Sequence, residues 1–413
     1  MEPCAASPIG HNHRVKRTTI VGLLAVPVVI GGLYWLMLSG HLALAVWLLA
    51  LAVLGLLAGT VWEWRHGRPR WAALLAAGAV VTVATVGWYA WNLNSKLADV
   101  TRVPDAVLDQ GDRPPMPEEP TEALNILLMG ADNPTRLIEK PTIAELLAAD
   151  DWNPGDYRSD TVMVVHVPAD REGAYVVSIP RDSYVRIYDA EGEPHDQAKV
   201  NEAFASYGPF GTWRTVENLT GIRLDHMAIV DFGGFRDLTT AIGGVDVYVP
   251  ESVYDSKQDQ QWNEGMVHLE DELALKYVRM RYGLLDGDFD RVARQQNFLR
   301  AVMKKVLAAD TIGDPVKFTK TIGAITSNLT VDEGWTDGDL RGLALSLRGI
   351  EEKQVRFITL PFDRYDTVPG IGSVNIVDFE RGEELWEALA DDRIDAYLEK
   401  YPDDELEDER QVS

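Results

Sequence analysis

Residues 277–296 read YVRMRYGLLDGDFDRVARQQ and set Arg279, Arg281, Arg291 and Arg294 among Asp286, Asp288 and Asp290. A guanidinium stays protonated at any ordinary pH and offers a planar fork of donors, so several aimed at one point make a seat for a multiply charged oxyanion. Phosphate or pyrophosphate is the natural guest. A second group of charges, Asp132, Arg158, Asp160 and Arg181, lies in three short motifs, GAD, RSD and PRD. Paired carboxylates suit a hard divalent cation such as Mg²⁺, with Mn²⁺ as second candidate, because such ions take oxygen ligands and are commonly completed by substrate phosphates. The plain alternative is structural. Asp288 would then cap a helix and pair with Arg291 three residues on, Arg294 would be solvated, and the second group would be a strand-edge salt-bridge network.

The surrounding pattern indicates what must position these residues. From Asp288 onward, Val292, Leu299, Val302 and Val306 fall on one helical stripe facing a core, which leaves Arg291 and Gln295, four apart, on a neighbouring face. Near a helix start, free backbone N–H groups and the macrodipole also favour an anion. Strands at 124–129, 161–167 and 174–180 each begin or end at one of the charged motifs, with 168–173 a hairpin turn. Helical patterns at 201–206 and 212–219, a strand at 226–231, a helix at 235–242 and a strand at 245–249 follow. After the arginine run come helices near 316–325 and 337–347, a strand at 355–361 and a helix at 379–389. Strands interleaved with helices predict an α/β fold with a mixed sheet covered on both sides, and in such folds sites are built at strand ends.

Three apolar runs, 18–38, 42–62 and 71–91, open the chain, each long enough to cross a hydrocarbon core of about 30 Å. Arg14, Lys16 and Arg17 precede the first run, and Arg65, Arg68 and Arg70 separate the second from the third, so positive-inside counting predicts a cytoplasmic N-terminus, residues 1–17, and an extracytoplasmic domain. Residues 92–122, with five prolines, read as a stalk, 123–390 as a catalytic domain, and 391–413 as an acidic, disordered tail. The net charge of −25 over 413 residues argues against wrapping nucleic acid, whose phosphates need a basic surface. Cys4 is the only cysteine, so thiolate zinc sites and internal disulfides are excluded. His195, His226 and His268 stand singly and read as structural, and no Gly-x-Ser-x-Gly elbow supplies a nucleophile.

The blocks NILLMGAD, RSDTVMVVHV, VVSIPRDSYVRI, KVNEAF, DFGGFRDLTTAIGGVDVYVP and YVRMRYGLLDGDFDRVARQQ, in this order after apolar segments, resemble the LytR-CpsA-Psr family of bacterial cell-wall proteins. The resemblance covers roughly residues 124–306. It implies a membrane-anchored α-β-α sandwich, to be set beside the mixed central sheet and the three transmembrane helices read from the pattern above. It also implies a phosphotransferase that moves a glycopolymer from a polyprenyl-pyrophosphate carrier to peptidoglycan, typically onto a muramic acid 6-hydroxyl, in the presence of Mg²⁺ and at a membrane lipid surface. The family's acidic pair falls on Asp132 and Asp160 as metal ligands. Its pyrophosphate-clamping residues fall on Arg158, Arg181, Arg279, Arg281, Arg291 and Gln295. Asp160, Asp288 and Arg158 are the catalytic candidates, Asp288 as an acidic position that orients an arginine or the attacking hydroxyl. The chain departs from the family at Pro134, where an arginine is usual; Arg136 follows two residues later.

The chemistry fits without the resemblance, because phosphoryl transfer asks a protein mainly to position reactants and offset charge. A lipid carrier also needs an apolar trough, which helices at 235–242 and 298–306 could line, although the same residues serve as core. Two other functions stay open at this point: a polyprenyl-pyrophosphate pyrophosphatase with water as acceptor, and a non-catalytic, lipid-binding regulator of the cell envelope.

Overall fold

The structure, a computed structural model, describes residues 31–32, 42–115, 122–132, 143–148, 152–155, 157–283, 288–308, 311, 314–347 and 350–412, without the side chains of Leu42, Ala43, Asp132, Ala144, Ala148, Asp288 and Leu345. The chain divides into two compact units, Met1–Ser95 and Lys96–Ser413. In the first, helices α1 (Leu42–Arg65) and α2 (Pro69–Ala98) carry two segments long and apolar enough to cross a membrane, Leu44–Arg65 and Pro69–Ala98. They match the second and third apolar runs. The first run, 18–38, lies outside the described residues except for the helical Gly31 and Gly32.

The second unit is mixed α/β around a mixed central sheet, as the alternation of patterns predicts. In chain order its strands are β1 (Thr101–Val103), β2 (Leu124–Asp132), β3 (Arg158–Val167), β4 (Ala174–Ile179), β5 (Ser183–Tyr188), β6 (Pro194–Lys199), β7 (His226–Asp231), β8 (Val245–Val249), β9 (Val253–Asp255), β10 (Gln260–Trp262), β11 (Gly265–Leu269), β12 (Thr330–Asp332), β13 (Val355–Thr359), β14 (Phe362–Val368) and β15 (Gly372–Val377). Seven of them form the main sheet in the order β1-β12-β7-β2-β3-β4-β13. A second sheet, β14-β15-β5-β6, continues from the end of β4.

Its helices are α3 (Ile143–Ala148), α4 (Val200–Thr220), α5 (Phe232–Ala241), α6 (Asp271–Arg279), α7 (Asp288–Leu307), α8 (Pro315–Ser327), α9 (Asp337–Ser346), α10 (Phe379–Ala390) and α11 (Ile394–Lys400). The run NILLM is apolar throughout because its strand is buried on both faces. Leu127 and Met129 join Val164, Val177 and Ile229 in a cluster with α4, α10 and α11. Ile126 and Leu128 point the other way, toward clusters that include Leu299, Met303 and Leu343 from α7 and α9. Helices therefore cover both faces of the sheet. A separate apolar cluster joins Phe235, Val247, Tyr277 and Phe298, so the helices proposed to line a trough pack together as core.

Two expectations are corrected. The stalk is docked over residues 101–115: β1 pairs in parallel with β12, and Arg214, fully buried, donates to the carbonyls of Val107, Leu108 and Gln110. Arg113 adds a bidentate pair with Glu217. The Val107 and Leu108 carbonyls belong to a single 3-10 turn, Ala106–Asp109, whose end Arg214 caps. The acidic tail is ordered to Val412, because Ile394, Tyr397 and Leu398 are buried and Leu406 N–H donates to Phe357 at 2.8 Å. The two helices expected at 201–206 and 212–219 are both present within α4, separated by a break at Gly208, with φ of 71°, and Pro209.

Candidate active site

Asp160 owes its position to a β-bulge. In the β2–β3 ladder Gly130 pairs with Thr161 and Ala131 with Ser159, so Asp160 has no cross-strand partner and its side chain is re-aimed. Ser159 holds the bulge: its buried hydroxyl lies 2.7 Å from the Thr161 carbonyl and 3.2 Å from that of Gly130. Glycine at 130 leaves room for Thr161, since a Cβ there would lie 3.0 Å from Thr161 Cβ. Asp132 ends β2 in register with Arg158, which opens β3 and is exposed; the Asp132 side chain lies outside the described set.

On the next strand, Pro180 stops β4 and its carbonyl accepts from Ser183 N–H at 2.9 Å, which turns the chain and presents Arg181 and Asp182 at the sheet edge. Arg181 donates to Asp160. Asp182, nearly buried, lies 3.0 Å from Lys199 Nζ and 3.8 Å from Arg181 Nε. Lys199 immediately precedes α4, and Asn201 N–H bonds the Arg181 carbonyl at 3.3 Å. The PRD and KVN motifs thus form one corner.

Helix α7 delivers the remaining charge. Val292 and Phe298 anchor its apolar stripe, and buried Gln296 fixes its height against the sheet, donating to Ser178 Oγ at 2.9 Å and to the Ile358 carbonyl at 2.8 Å. Arg291, one turn and a half earlier, is only 4% exposed. Gln295 donates to the Val278 carbonyl at 3.3 Å and so ties α7 to the last turn of α6, which carries Arg279 over the Phe232 ring at 4.5 Å. Arg281 follows, exposed. Arg294 is not solvated: it is 2% exposed, stacked 5.0 Å over Tyr277 and within 2.9 Å of Met280 Sδ, a core role. Asp288 opens α7 with its side chain outside the described set, as are all of Pro134 and Arg136.

The electrostatics show which of these groups share a site. Burial pushes the Asp160 carboxyl up, but the charges of Arg181, Arg291 and Arg279 and the Arg181 hydrogen bond outweigh it, holding Asp160 below the usual carboxylate range. Burial pushes Arg291 down to about 10; Arg181 and Arg281 add to that, while Asp160 and Asp182 oppose it. Arginines from three separate stretches of sequence are therefore mutually close around one carboxylate. Of the residues singled out in sequence, Asp160, Arg181, Arg279, Arg281 and Arg291 come together. Asp182, Lys199 and Gln296 join them unannounced, although Asp182 and Lys199 lie inside motifs already noted. Lys199 adds a further cation beside Asp182 at this corner.

No group of three or more His, Cys, Asp or Glu side chains converges among the described residues, so no all-protein metal cage is built there. One ionised carboxylate, Asp160, beside the strand end that carries Asp132 is a donor set of the kind Mg²⁺ uses when phosphate oxygens and water complete its shell.

A sequence model of the LytR_cpsA_psr family matches residues 92–391. The chain is 31% identical over 287 residues to cell wall biosynthesis protein LcpA of Corynebacterium glutamicum, covering 62% of this chain and 53% of LcpA, so it spans about half of that relative's length. It is 32% identical over 286 residues to polyisoprenyl-teichoic acid–peptidoglycan teichoic acid transferase TagU of Halalkalibacterium halodurans, covering 68% of this chain and 88% of TagU. Among solved structures, Bacillus subtilis TagV superposes with a TM-score of 0.52 at 27% identity, over 67% of this chain and 99% of TagV.

Proposed function

The chain belongs to the LytR_cpsA_psr family, and from that premise we propose that it is a phosphotransferase joining a glycopolymer to peptidoglycan outside the cell. The donor is a polyprenyl-pyrophosphate-linked glycan, held at a membrane that three helices would span, with the N-terminus in the cytoplasm. The observation that carries this reading is the gathering of Arg181, Arg279 and Arg291 around Asp160, with Arg281 close to Arg291. Such a site would bind a diphosphate and offset the charge that builds on its oxygens during in-line transfer.

In the reaction, an acceptor hydroxyl oxygen forms a bond to the glycan-proximal phosphorus, the P–O–P bond breaks, polyprenyl phosphate leaves, and the hydroxyl proton passes to that phosphate or to water. The arginines supply donors on both sides of the breaking bond. Asp160 stays ionised throughout, which suits a ligand or an orienting group better than a proton acceptor working near neutral pH. Asp132 and Asp160 would hold Mg²⁺, whose charge neutralises phosphate oxygens when bound. Arg158, exposed at the rim, would meet the incoming glycan phosphate, and Asp288 would orient Arg291 or the acceptor.

The test is product analysis with the full-length protein in lipid nanodiscs, given Mg²⁺, a lipid-linked glycan and a soluble peptidoglycan strand. A phosphodiester between the two glycans is expected. Free phosphorylated glycan as the sole product would instead establish hydrolysis, and binding without turnover a regulatory role.

A further inference from the structure

Beside the arginine corner lies a feature that pyrophosphate binding does not use. Phe289, between Asp288 and Asp290 at the start of α7, stacks on Phe362 with ring centroids 4.1 Å apart and planes 28° apart. Tyr365 completes the group, 5.1 Å from Phe362 and 5.9 Å, edge-on, from Phe289. Phe362 and Tyr365 belong to β14, the edge strand of the second sheet, and Tyr365 is 49% exposed. Asp363, Arg364 and Asp366 stand out from the same strand, each more than half or about half exposed, with Arg364 paired to Asp363.

Both attachments of this strand end on site residues. Phe289 lies two positions before Arg291 on α7. Tyr365 pairs across the ladder with Asn375, whose N–H donates to the Asp182 carbonyl at 2.9 Å. Two strand spacings, about 10 Å, therefore separate Tyr365 from the corner that holds Arg181 and Lys199. The platform is continuous with the site, and its distance suits a ligand whose reacting group sits at the arginines while a neighbouring unit lies on the ring.

We propose that the Phe289–Phe362–Tyr365 cluster is the acceptor subsite, a stacking platform for a β-linked amino-sugar glycan strand. This inference rests on the transferase reading above and adds to it the place where the acceptor binds. Pyranose rings present flat C–H faces to an aromatic ring and hydroxyls around their rim. A half-exposed tyrosine flanked by two carboxylates and a guanidinium offers an aromatic ring together with hydrogen-bond acceptors and donors for those hydroxyls. The two phenylalanines stiffen the tyrosine from behind and couple its position to α7.

The platform is tested with the full-length protein in nanodiscs and a soluble oligosaccharide of alternating N-acetylglucosamine and N-acetylmuramic acid. Calorimetric binding without donor should show the Kd rise about fivefold to tenfold in Tyr365→Ala, the loss of one stacked ring, and recover in Tyr365→Trp. Asp366→Ala should weaken binding as well, and its exposed position spares the fold. Equal affinity of wild type, Tyr365→Ala and Asp366→Ala overturns the platform whether or not transfer occurs. Weaker binding by the variants with no phosphodiester formed by wild type leaves the platform standing and removes the transfer reading. In the transfer assay, acceptor KM should rise in Tyr365→Ala with donor KM unmoved; a donor KM that rises instead overturns the assignment.

Discussion

Lys199 Nζ sits 3.0 Å from Asp182 Oδ1, one residue past the arginine that grips Asp160. Asp182 is nearly buried and its carboxylate also faces Arg181 Nε at 3.8 Å, so one acid steadies two cations. Removing the acid leaves both without their shared partner, a loss that for a largely buried pair costs about 3 kcal/mol. Asp182→Ala should therefore lower the melting temperature and the affinity for pyrophosphate together. Lys199→Met, which removes one cation at the rim, should weaken pyrophosphate binding with a smaller effect on melting. Calorimetric titration beside thermal denaturation separates the two; equal stability losses would make Lys199 a structural residue only.

Arg291 is held in its charged form against burial, with its pKa pushed down to about 10. Burial of the guanidinium works against its charged form, and the Asp160 and Asp182 carboxylates work for it. Arg291→Met keeps the volume and removes the buried charge, so the variant should melt at or above the wild-type temperature. Its kcat/KM for glycan transfer should fall about a hundredfold or more, the usual cost of losing one preorganised donor to a developing charge. A variant that melts lower and transfers normally would put Arg291 in the core rather than the site.

The charged motifs were legible because each sits where a clear strand or helix pattern stops, which is how Asp160, Arg181 and Arg291 could be named from spacing. Their partners were less so. Periodicity gives a helix face but not what that face touches, so Gln296, bonded to Ser178 and Ile358, looked like any polar residue beside a stripe. Arg294 read as solvated because nothing in sequence announces that Tyr277 and Met280 wait for it. Short strands escaped for another reason: Thr101–Val103 holds three residues, too few to show alternation among prolines. The β14–β15 hairpin was missed because β14 is exposed along its length and carries no buried stripe. The tail misled by composition, its acids outnumbering the few apolar residues, Ile394, Tyr397 and Leu398, that anchor it.

The bulge at Asp160 makes Ser159 a positioning residue. Its hydroxyl contacts both the Gly130 and Thr161 carbonyls, and Ser159→Ala would remove a buried hydrogen bond worth about 1 kcal/mol. The larger effect should fall on transfer, through misdirection of the Asp160 carboxylate. Ser159→Thr keeps the hydroxyl and should recover part of the rate if its extra methyl fits. A rate unchanged in Ser159→Ala would show that the bulge holds its shape without the serine.

Asp160 and Arg181 set the behaviour in acid. The folded carboxyl lies below the usual carboxylate range, because guanidinium charges outweigh a burial effect acting upward. A depressed carboxyl contributes stability that is fully present above the unfolded value and lost as pH falls through the folded one. Wild type should therefore keep this contribution at pH 5 and lose it only below about pH 4. Arg181→Met removes the nearest opposing charge and leaves burial in force, so the carboxyl moves upward and protonation begins at higher pH. Acid denaturation followed by circular dichroism should show its midpoint displaced to higher pH in Arg181→Met, while Asp160→Asn, which has no proton to take up there, should abolish the displacement when combined with it. Coincident acid transitions for wild type and Arg181→Met would mean that Arg181 is not what keeps Asp160 ionised, and the charge balance assigned to this corner would have to be redrawn around Arg291 and Arg279.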